Sequence, residues 1–185
     1  MAPDGGGFAK VGEQVVFAGT LITTVQATFT DPSGDTFERD VVHHPGAVSV
    51  VPVVGEGRAV LLVRQYRAAV DRVLLEIPAG KRDVDGEVPE VTAARELQEE
   101  VGMRAGNLQK LAEFYNSPGF CDEHSFVYLA TDLEAVPSAV QGVEEQHMTI
   151  EEVALADVPA LVRAGELVDA KSIIGLTLAR ELLGA

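Results

Sequence analysis

The chain has 185 residues, and apolar residues make up 46% of them, which suffices for the core of one domain. Its formal net charge is −15, so the surface repels phosphate backbones, and we expect no nucleic acid polymer as a partner. The single cysteine, Cys121, excludes an internal disulfide and a cysteine-rich zinc site. Because no apolar run could span a bilayer and no secretory signal is visible, we expect a cytoplasmic protein without a membrane partner.

The N-terminal part predicts a tail followed by antiparallel strands. Consecutive glycines at positions 5 to 7 favour a disordered tail over residues 1–11. Residues 21–30 and 36–42 are rich in threonine, valine and other strand formers, and the Asp-Pro-Ser-Gly-Asp stretch between them indicates a turn. Residues 12–46 therefore form a strand extension that is too small to bury a core of its own.

From residue 47 onward, strands are mixed with a few helices. Strands are predicted at 47–54, 59–66, 74–77, 108–115 and 125–130, and helices at 89–101, 157–164 and 170–183. The third of these strands should stop at Pro78-Ala79-Gly80, and Gly102 should cap the first helix. This mixture indicates a layered α/β domain over residues 47–185.

The predicted helix 89–101 carries the most informative pattern. On a helical wheel, one face is expected to pack on the sheet and carries Ala94, Leu97 and Val101. The opposite arc, expected to be exposed, carries Glu96, Glu99 and Glu100. Like charges at this spacing destabilise a helix by about 0.2–0.5 kcal/mol per pair, and acids near the last turn meet an unfavourable dipole. Local stability therefore does not explain this placement.

A divalent cation would explain the acidic arc. Magnesium prefers carboxylate oxygens, keeps several waters and commonly bridges protein to substrate phosphates. Arg95 precedes Glu99 by four residues, so its guanidinium can pair with Glu99 and hold it in place. The alternative is a solvated acidic face on an amphipathic helix, the usual meaning of an isolated Glu-x-x-Glu-Glu pattern.

The surrounding residues resemble the Nudix box, G-x5-E-x7-R-E-U-x-E-E-x-G-U, where U is a bulky aliphatic residue. The matching positions are Gly80, Glu87, Arg95, Glu96, Leu97, Glu99, Glu100, Gly102 and Met103. Six residues rather than five separate Gly80 from Glu87, and the extra residue falls in a loop, where an insertion costs little. The resemblance implies the Nudix fold, an α/β/α sandwich around a mixed sheet, here with an N-terminal antiparallel strand extension.

The resemblance also implies a reaction, the attack of water on one phosphorus of a diphosphate, and a role for each residue. The implied metal-binding set is the Ala79 carbonyl and the side chains of Glu87, Glu96, Glu99 and Glu100. Arg95 would orient the glutamates, and Glu99 would be either a further ligand or an acid–base partner. The implied cofactor is Mg2+, with Mn2+ as an alternative ion.

Three further segments are similar to ADP-ribose pyrophosphatases: residues 64–67, residues 75–80, and residues 117–120, in which Pro118 follows Gly102 by 16 residues. They imply hydrolysis of ADP-ribose to AMP and ribose 5-phosphate. The implied substrate contacts are Arg64, Arg67, Glu76, Pro118, Gly119 and Phe120. The guanidinium groups could meet phosphate or ribose as planar forks. The rings of Tyr66 and Phe120 could stack on adenine, although core packing is the favoured expectation for both.

The same subgroup uses a glutamate of a late loop as the catalytic base. The candidate here is Glu144, with Glu145 second, and the alternative is a solvated acidic loop. Similar proteins also use their N-terminal strands to form a swapped homodimer, and the resemblance implies one for residues 12–46.

Three other functions stay compatible with the sequence. The first is a Nudix hydrolase for a nucleotide sugar or a damaged nucleoside triphosphate. The second is a non-catalytic Nudix module that senses a nucleotide, but such a module should have lost glutamates of the box, and Glu96, Glu99 and Glu100 are all present. The third, an acidic scaffold or cation buffer, leaves the arginines and the Pro-Gly turns unexplained.

Overall fold

The computed structural model describes residues 5–138 and 143–185, which divide into two compact units. The first unit contains the residues up to Gly46 together with Tyr115–His124, and the second contains Ala47–Phe114 and Ser125–Ala185. The sequence prediction also divided the chain after residue 46. Residues 115–124 were predicted to belong to the second domain, and this part of the prediction is wrong.

The first unit contains a three-stranded antiparallel sheet in the order β1-β2-β3. Its strands are β1 (Ala9–Ala18), β2 (Thr23–Thr30) and β3 (Thr36–His43). The central strand β2 buries Val25 and Ala27, whereas every residue of β1 is exposed. The predicted tail 1–11 is too long, because Ala9 already pairs with Thr30. Residues 1–4 of that tail lie outside the described residues.

Backbone pairing explains why residues 115–124 belong to the first unit. The Val42 N–H donates to the Phe120 carbonyl at 2.7 Å, and the Asp122 N–H donates to the Val42 carbonyl at 3.1 Å. The carboxylate of Asp122 lies 2.6 Å from Nδ1 of His43, and the carboxylate of Glu13 lies 3.1 Å from Nε2. Hydrogen bonds to Asp122 and Glu13 raise the pKa of His43, and through these two bonds its ring links β1, β3 and this segment.

The second unit contains a seven-stranded mixed sheet in the order β10-β5-β4-β9-β8, in which β6 pairs with β5 and β7 pairs with β4. Its strands are β4 (Ala47–Val54), β5 (Ala59–Arg67), β6 (Arg72–Glu76), β7 (Ala79–Lys81), β8 (Met103–Tyr115), β9 (His124–Ala135) and β10 (Thr149–Ala154). Strands β4 and β9 are parallel, and β5 is antiparallel to its neighbours β4, β6 and β10. The sequence did not predict β7 or β10. The first is only three residues long, and two adjacent glutamates obscure the alternation of the second.

Helices cover both faces of the large sheet. They are α1 (Pro89–Val101), α2 (Val158–Ala164) and α3 (Ala170–Leu183). One core contains Leu62 and Ile77 of the sheet side with Val158 of α2 and Leu176 of α3. The other core joins sheet residues such as Val48 to α1. This arrangement is the predicted α/β/α sandwich. Within 5–138 and 143–185, no helix combines the length and the apolar character that a membrane crossing demands.

Candidate active site

Helix α1 has the predicted bounds but a different buried face. It begins at Pro89, whose missing N–H needs no partner in the first turn, and ends at Gly102, whose φ of 63° favours glycine. The residues that pack on the sheet are Ala93, Leu97 and Val101. Ala94 is exposed, so its predicted burial is wrong. The buried face of α1 is therefore centred one residue earlier than the predicted face. It includes two of the glutamates, Glu96 and Glu100.

Glu96 and Glu100 are buried, with 7% and 4% of their surface exposed, so the expected exposed arc is wrong for both. Strand β7 lies close to them. The Ala79 N–H donates to Oε2 of Glu100 at 2.9 Å. A Cβ atom on Gly80 would lie 1.9 Å from the carboxylate carbon of Glu96. Glycine at position 80 therefore leaves the space that the Glu96 carboxylate occupies.

The guanidinium group of Arg95 donates hydrogen bonds to three carboxylates among the residues that resemble the Nudix box. Its Nη1 donates to Oε1 of Glu96 at 2.7 Å and to Oε2 of Glu99 at 3.1 Å. Its Nη2 donates to Oε2 of Glu87 at 3.3 Å. The hydroxyl of Thr92 also donates to Glu87, at 2.7 Å, and so fixes the residue that precedes the helix. The predicted pairing of Arg95 with Glu99 is confirmed.

Burial makes two of these carboxylates unusually weak acids. Loss of hydration raises the pKa of Glu96 to about 7, against the influence of Arg95, and the charges of Glu99 and Glu145 add to the rise. Burial also raises the pKa of Glu100 to about 8, against the hydrogen bond from Ala79. Two buried anions at this position are unfavourable unless positive charge compensates them.

The donor chemistry of the cluster fits a hard divalent cation, which prefers oxygen ligands. The carboxylates of Glu96 and Glu100 lie against Gly80 and Ala79 of β7, and Arg95 joins Glu87 and Glu99 to Glu96. In the described part of the chain, no three acidic, histidine or cysteine side chains converge as a ready ligand set. Arg95 holds three of the glutamates, and the Ala79 N–H holds the fourth. Rotation of the glutamate side chains would be needed to enclose an ion.

The two glutamates of the late loop occupy different environments. Glu145 opens a short 3-10 turn, and its charge contributes to the raised pKa of both Glu96 and Glu100. Glu144 instead lines a cavity of about 450 Å³ together with Arg64. The structure thus brings Glu145 toward the carboxylate cluster and Glu144 toward a predicted substrate contact.

Both arginines predicted to contact substrate are paired with carboxylates of the chain. Arg64 forms a bidentate pair with Glu151 of β10, with Nη2 at 3.2 Å from Oε2. Arg67 forms a bidentate pair with Glu76, with distances of 2.9 and 2.7 Å. Glu76 is only 1% exposed. Burial acts to raise its pKa, but Arg67 and Lys171 outweigh this effect, and the pKa of Glu76 lies below its ordinary value.

The third predicted substrate segment, Pro118, Gly119 and Phe120, lies in the first unit. A turn orders it, because the Phe120 N–H donates to the Ser117 carbonyl at 3.1 Å. The three residues line a cavity of about 320 Å³ within that unit. Phe120 is 59% exposed and Tyr66 is 42% exposed, so the expectation that these rings pack in the core is wrong for both.

Sequence reasoning missed the first turn of α3. Lys171 pairs with Glu76, and its Nζ lies 2.9 Å from the carboxylate of Asp169. A local signal existed for Asp169, which caps the helix by accepting from the Ser172 N–H at 3.0 Å. No local pattern could show that Lys171 meets a residue 95 positions earlier in the chain.

Comparison with known proteins decides the family. The model of the NUDIX domain matches residues 43–173, which include the whole carboxylate cluster. The chain belongs to the Nudix family. It is therefore a Nudix hydrolase, and members of this family generally use a divalent metal.

Relatives with named activities fall into more than one group. The Nudix chain is 40% identical to an ADP-ribose pyrophosphatase of Bacillus subtilis (strain 168), over 88% of this chain and 86% of the relative. It is 38% identical to an ADP-ribose pyrophosphatase of Mycobacterium tuberculosis (strain ATCC 25618 / H37Rv), over 91% and 81%. A GDP-mannose pyrophosphatase of Enterobacter sp. (strain 638) is 30% identical, over 74% of each chain.

A solved structure agrees with the fold. The crystal structure of an ADP compounds hydrolase aligns with a TM-score of 0.81, over 96% of this chain and 94% of the other, at 24% sequence identity. At that identity the match supports the Nudix fold alone.

We predict that Arg95→Leu destabilises the metal-free protein by about 1–3 kcal/mol. Breaking a fully buried ion pair costs roughly 3–5 kcal/mol, and the partial exposure of Arg95 reduces this value. The matched control is Arg104→Leu, which removes an exposed pair with Glu134 and should cost less than about 1 kcal/mol. Urea unfolding in excess chelator measures the loss of stability in both variants. Equal losses in the two variants would contradict a stabilising role for the Arg95 cluster.

Proposed function

We propose that the chain hydrolyses the pyrophosphate bond of ADP-ribose to AMP and ribose 5-phosphate, with Mg2+ as the cofactor and Mn2+ as an alternative ion. The observation that carries the proposal is the pair of buried carboxylates, Glu96 and Glu100, held against Ala79 and Gly80. The choice of substrate is supported by the names of the relatives that are 38 to 40% identical.

The proposed metal-binding residues are the four glutamates of the cluster and the Ala79 carbonyl. Glu96 and Glu100 are the main ligands, because their buried anions have the most to gain from a compensating cation. Arg95 holds Glu87 and Glu99 in reach and limits repulsion among the carboxylates. An ion held by these residues would supply positive charge to offset that of the diphosphate and would lower the pKa of the attacking water.

We assign the general base to Glu145 rather than to Glu144. The assignment is supported by the charge of Glu145, which contributes to the raised pKa of both Glu96 and Glu100. Carboxylates bound to metal are poor bases, because the cation lowers their pKa. A separate carboxylate on the loop can accept the proton of the attacking water once substrate is bound.

The proposed substrate contacts are Arg64, Pro118, Gly119 and Phe120. Arg64 shares its cavity with Glu144 and the exposed ring of Tyr66, which offers a polar rim and an aromatic face. The other three residues are proposed from the resemblance of residues 117–120 to ADP-ribose pyrophosphatases. Arg67 and Glu76 were also expected to contact substrate, but their mutual pairing supports another role.

We also propose a homodimer formed through the N-terminal sheet. Strand β1 lies at the edge of that sheet, and Val15, Val16 and Phe17 are each more than half exposed. An exposed apolar edge strand is a template for pairing with another chain. A second copy of the chain would cover this edge and its exposed apolar side chains.

We predict that ADP-ribose has the highest kcat/KM in a panel with GDP-mannose and nucleoside triphosphates in the presence of Mg2+. Chromatography of the phosphate products measures each reaction. Excess chelator should abolish turnover, and Glu100→Gln should lower kcat by about 10² or more, because one main ligand loses its charge. A faster reaction with GDP-mannose would move the chain to the nucleotide-sugar hydrolases. Full turnover in chelator would contradict the metal mechanism.

We predict that Glu145→Gln lowers kcat for ADP-ribose by about 10²–10⁴, because the general base is lost, while KM stays close to that of the parent. Glu144→Gln is the matched control on the same loop and should affect KM more than kcat. Steady-state kinetics separates the two constants. If Glu144→Gln is the slow variant and Glu145→Gln resembles the parent, the base is Glu144.

We predict that the protein has the mass of a dimer by light scattering at micromolar concentration. Val16→Lys should shift the mass toward the monomer, because it places charge on the exposed apolar strand β1. Val91→Lys changes an equally apolar, exposed residue of α1 and should leave the mass unchanged. A monomeric parent protein with full activity would contradict the proposed dimer.

A further inference from the structure

We propose that the first turn of α3 positions the metal-binding segment, with Lys171 acting as a positioning residue through Glu76. This inference rests on the function proposed above. It gives Glu76 and Arg67 a different task from substrate contact, and it assigns a task to Lys171, Asp169 and Ser172.

The segment that connects β6 to β7 is fixed at four consecutive residues. The Glu76 carboxylate is held by Arg67 and Lys171. The Ile77 N–H donates to Oγ of Ser172 at 2.8 Å, and the Pro78 carbonyl accepts from the Val50 N–H at 2.9 Å. The Ala79 N–H then donates to Glu100 at 2.9 Å. The start of α3 is thus connected to a proposed metal ligand by an unbroken series of hydrogen bonds and three peptide units.

The charged side chains at the start of this series of hydrogen bonds form ion pairs with one another. Glu76 is 1% exposed and lies between two cations, Arg67 and Lys171. Lys171 is itself mostly buried and is shared with Asp169. A buried carboxylate that loses one of two cationic partners is undercompensated, and it gains hydration by moving toward solvent. Removal of the Lys171 charge should therefore loosen the backbone that Glu76 anchors.

Close packing gives α3 little freedom to compensate for such a change. A Cβ atom on Gly175 would lie 2.9 Å from Val127, 3.1 Å from Val51 and 3.2 Å from the Cδ1 atom of Ile77. One turn before Gly175, Ser172 is fully buried and bonded to the same residue, Ile77. Because interiors are close-packed, a shift of the first turn of α3 passes directly to Ile77 and the segment that follows it.

This arrangement resembles the outer partners that orient ligands at metal sites, whose loss typically costs about 10–100-fold in metal affinity or activity. Glu76 is only 1% exposed, and both oxygens of its carboxylate already accept hydrogen bonds from Arg67. Its chemistry suits orientation of the neighbouring backbone and not recognition of a ligand.

The test compares Lys171→Met with Lys110→Met in the intact protein. Lys171→Met keeps the apolar stem and removes the charge, and it should weaken Mn2+ binding by about 10–100-fold and lower kcat by a similar factor, with KM for ADP-ribose near that of the parent. Free Mn2+ is followed by electron paramagnetic resonance in the absence of substrate. Lys110→Met breaks only an exposed pair with Glu113 and should leave both quantities unchanged.

Two further variants separate positioning from other roles. Lys171→Arg retains the positive charge and should recover most of the Mn2+ affinity that Lys171→Met loses. Glu76→Gln should weaken Mn2+ binding as Lys171→Met does. A raised KM in Glu76→Gln with unchanged Mn2+ affinity would instead make Glu76 a substrate contact and overturn the inference. Lys171→Gln replaces Lys171→Met if the latter does not give a folded protein by circular dichroism.

Failure of the inference can be told apart from failure of the proposed function. If the parent protein neither binds Mn2+ nor hydrolyses ADP-ribose, the proposed function is wrong. If the parent protein does both and Lys171→Met behaves like Lys110→Met, the function stands and the positioning role of Lys171 is wrong.

Discussion

Two glutamate carboxylates buried beside the short strand β7 are the constraint on which the rest of the second unit depends. Glu96 and Glu100 lie against Gly80 and Ala79, where loss of hydration raises the pKa of each toward or above neutrality. Folding alone would not favour this placement, since polar surface positions were available on the same helix. The surrounding structure holds the carboxylates in place. Their burial lowers the stability of the fold, as is common at functional sites.

The remaining elements supply what this placement requires. Arg95 provides positive charge to one side of the cluster, and glycine at position 80 provides the space. Helix α1 brings the glutamates to one face of the large sheet, while α3 packs on the other face and holds the segment before Ala79. The proposed reaction centre therefore depends on both layers of the sandwich, although only one layer contains glutamates of the Nudix box.

Much of the fold could be predicted from local patterns. The bounds of α1 and α3 and the cap at Gly102 follow from periodicity and helix-end signals, which depend on neighbouring residues only. The burial of Glu96 and Glu100 could not be predicted, because a helical wheel assigns glutamate to solvent and contains no information about the approach of β7. The pair between Lys171 and Glu76 was also inaccessible, since it joins residues 95 positions apart. Residue spacing indicates the candidate site, but the burial of its carboxylates depends on tertiary contacts.

Anomalous diffraction from crystals soaked in Mn2+ tests the central claim most directly. If the buried carboxylates exist to bind a divalent cation, an anomalous peak should lie within coordination distance of the carboxylate oxygens of Glu96 and Glu100. At least one of the glutamates that now contact Arg95 should have turned toward the ion. A fully soaked crystal with no peak at this position, and with Glu96 still on Arg95 and Glu100 still on the Ala79 N–H, would contradict the account.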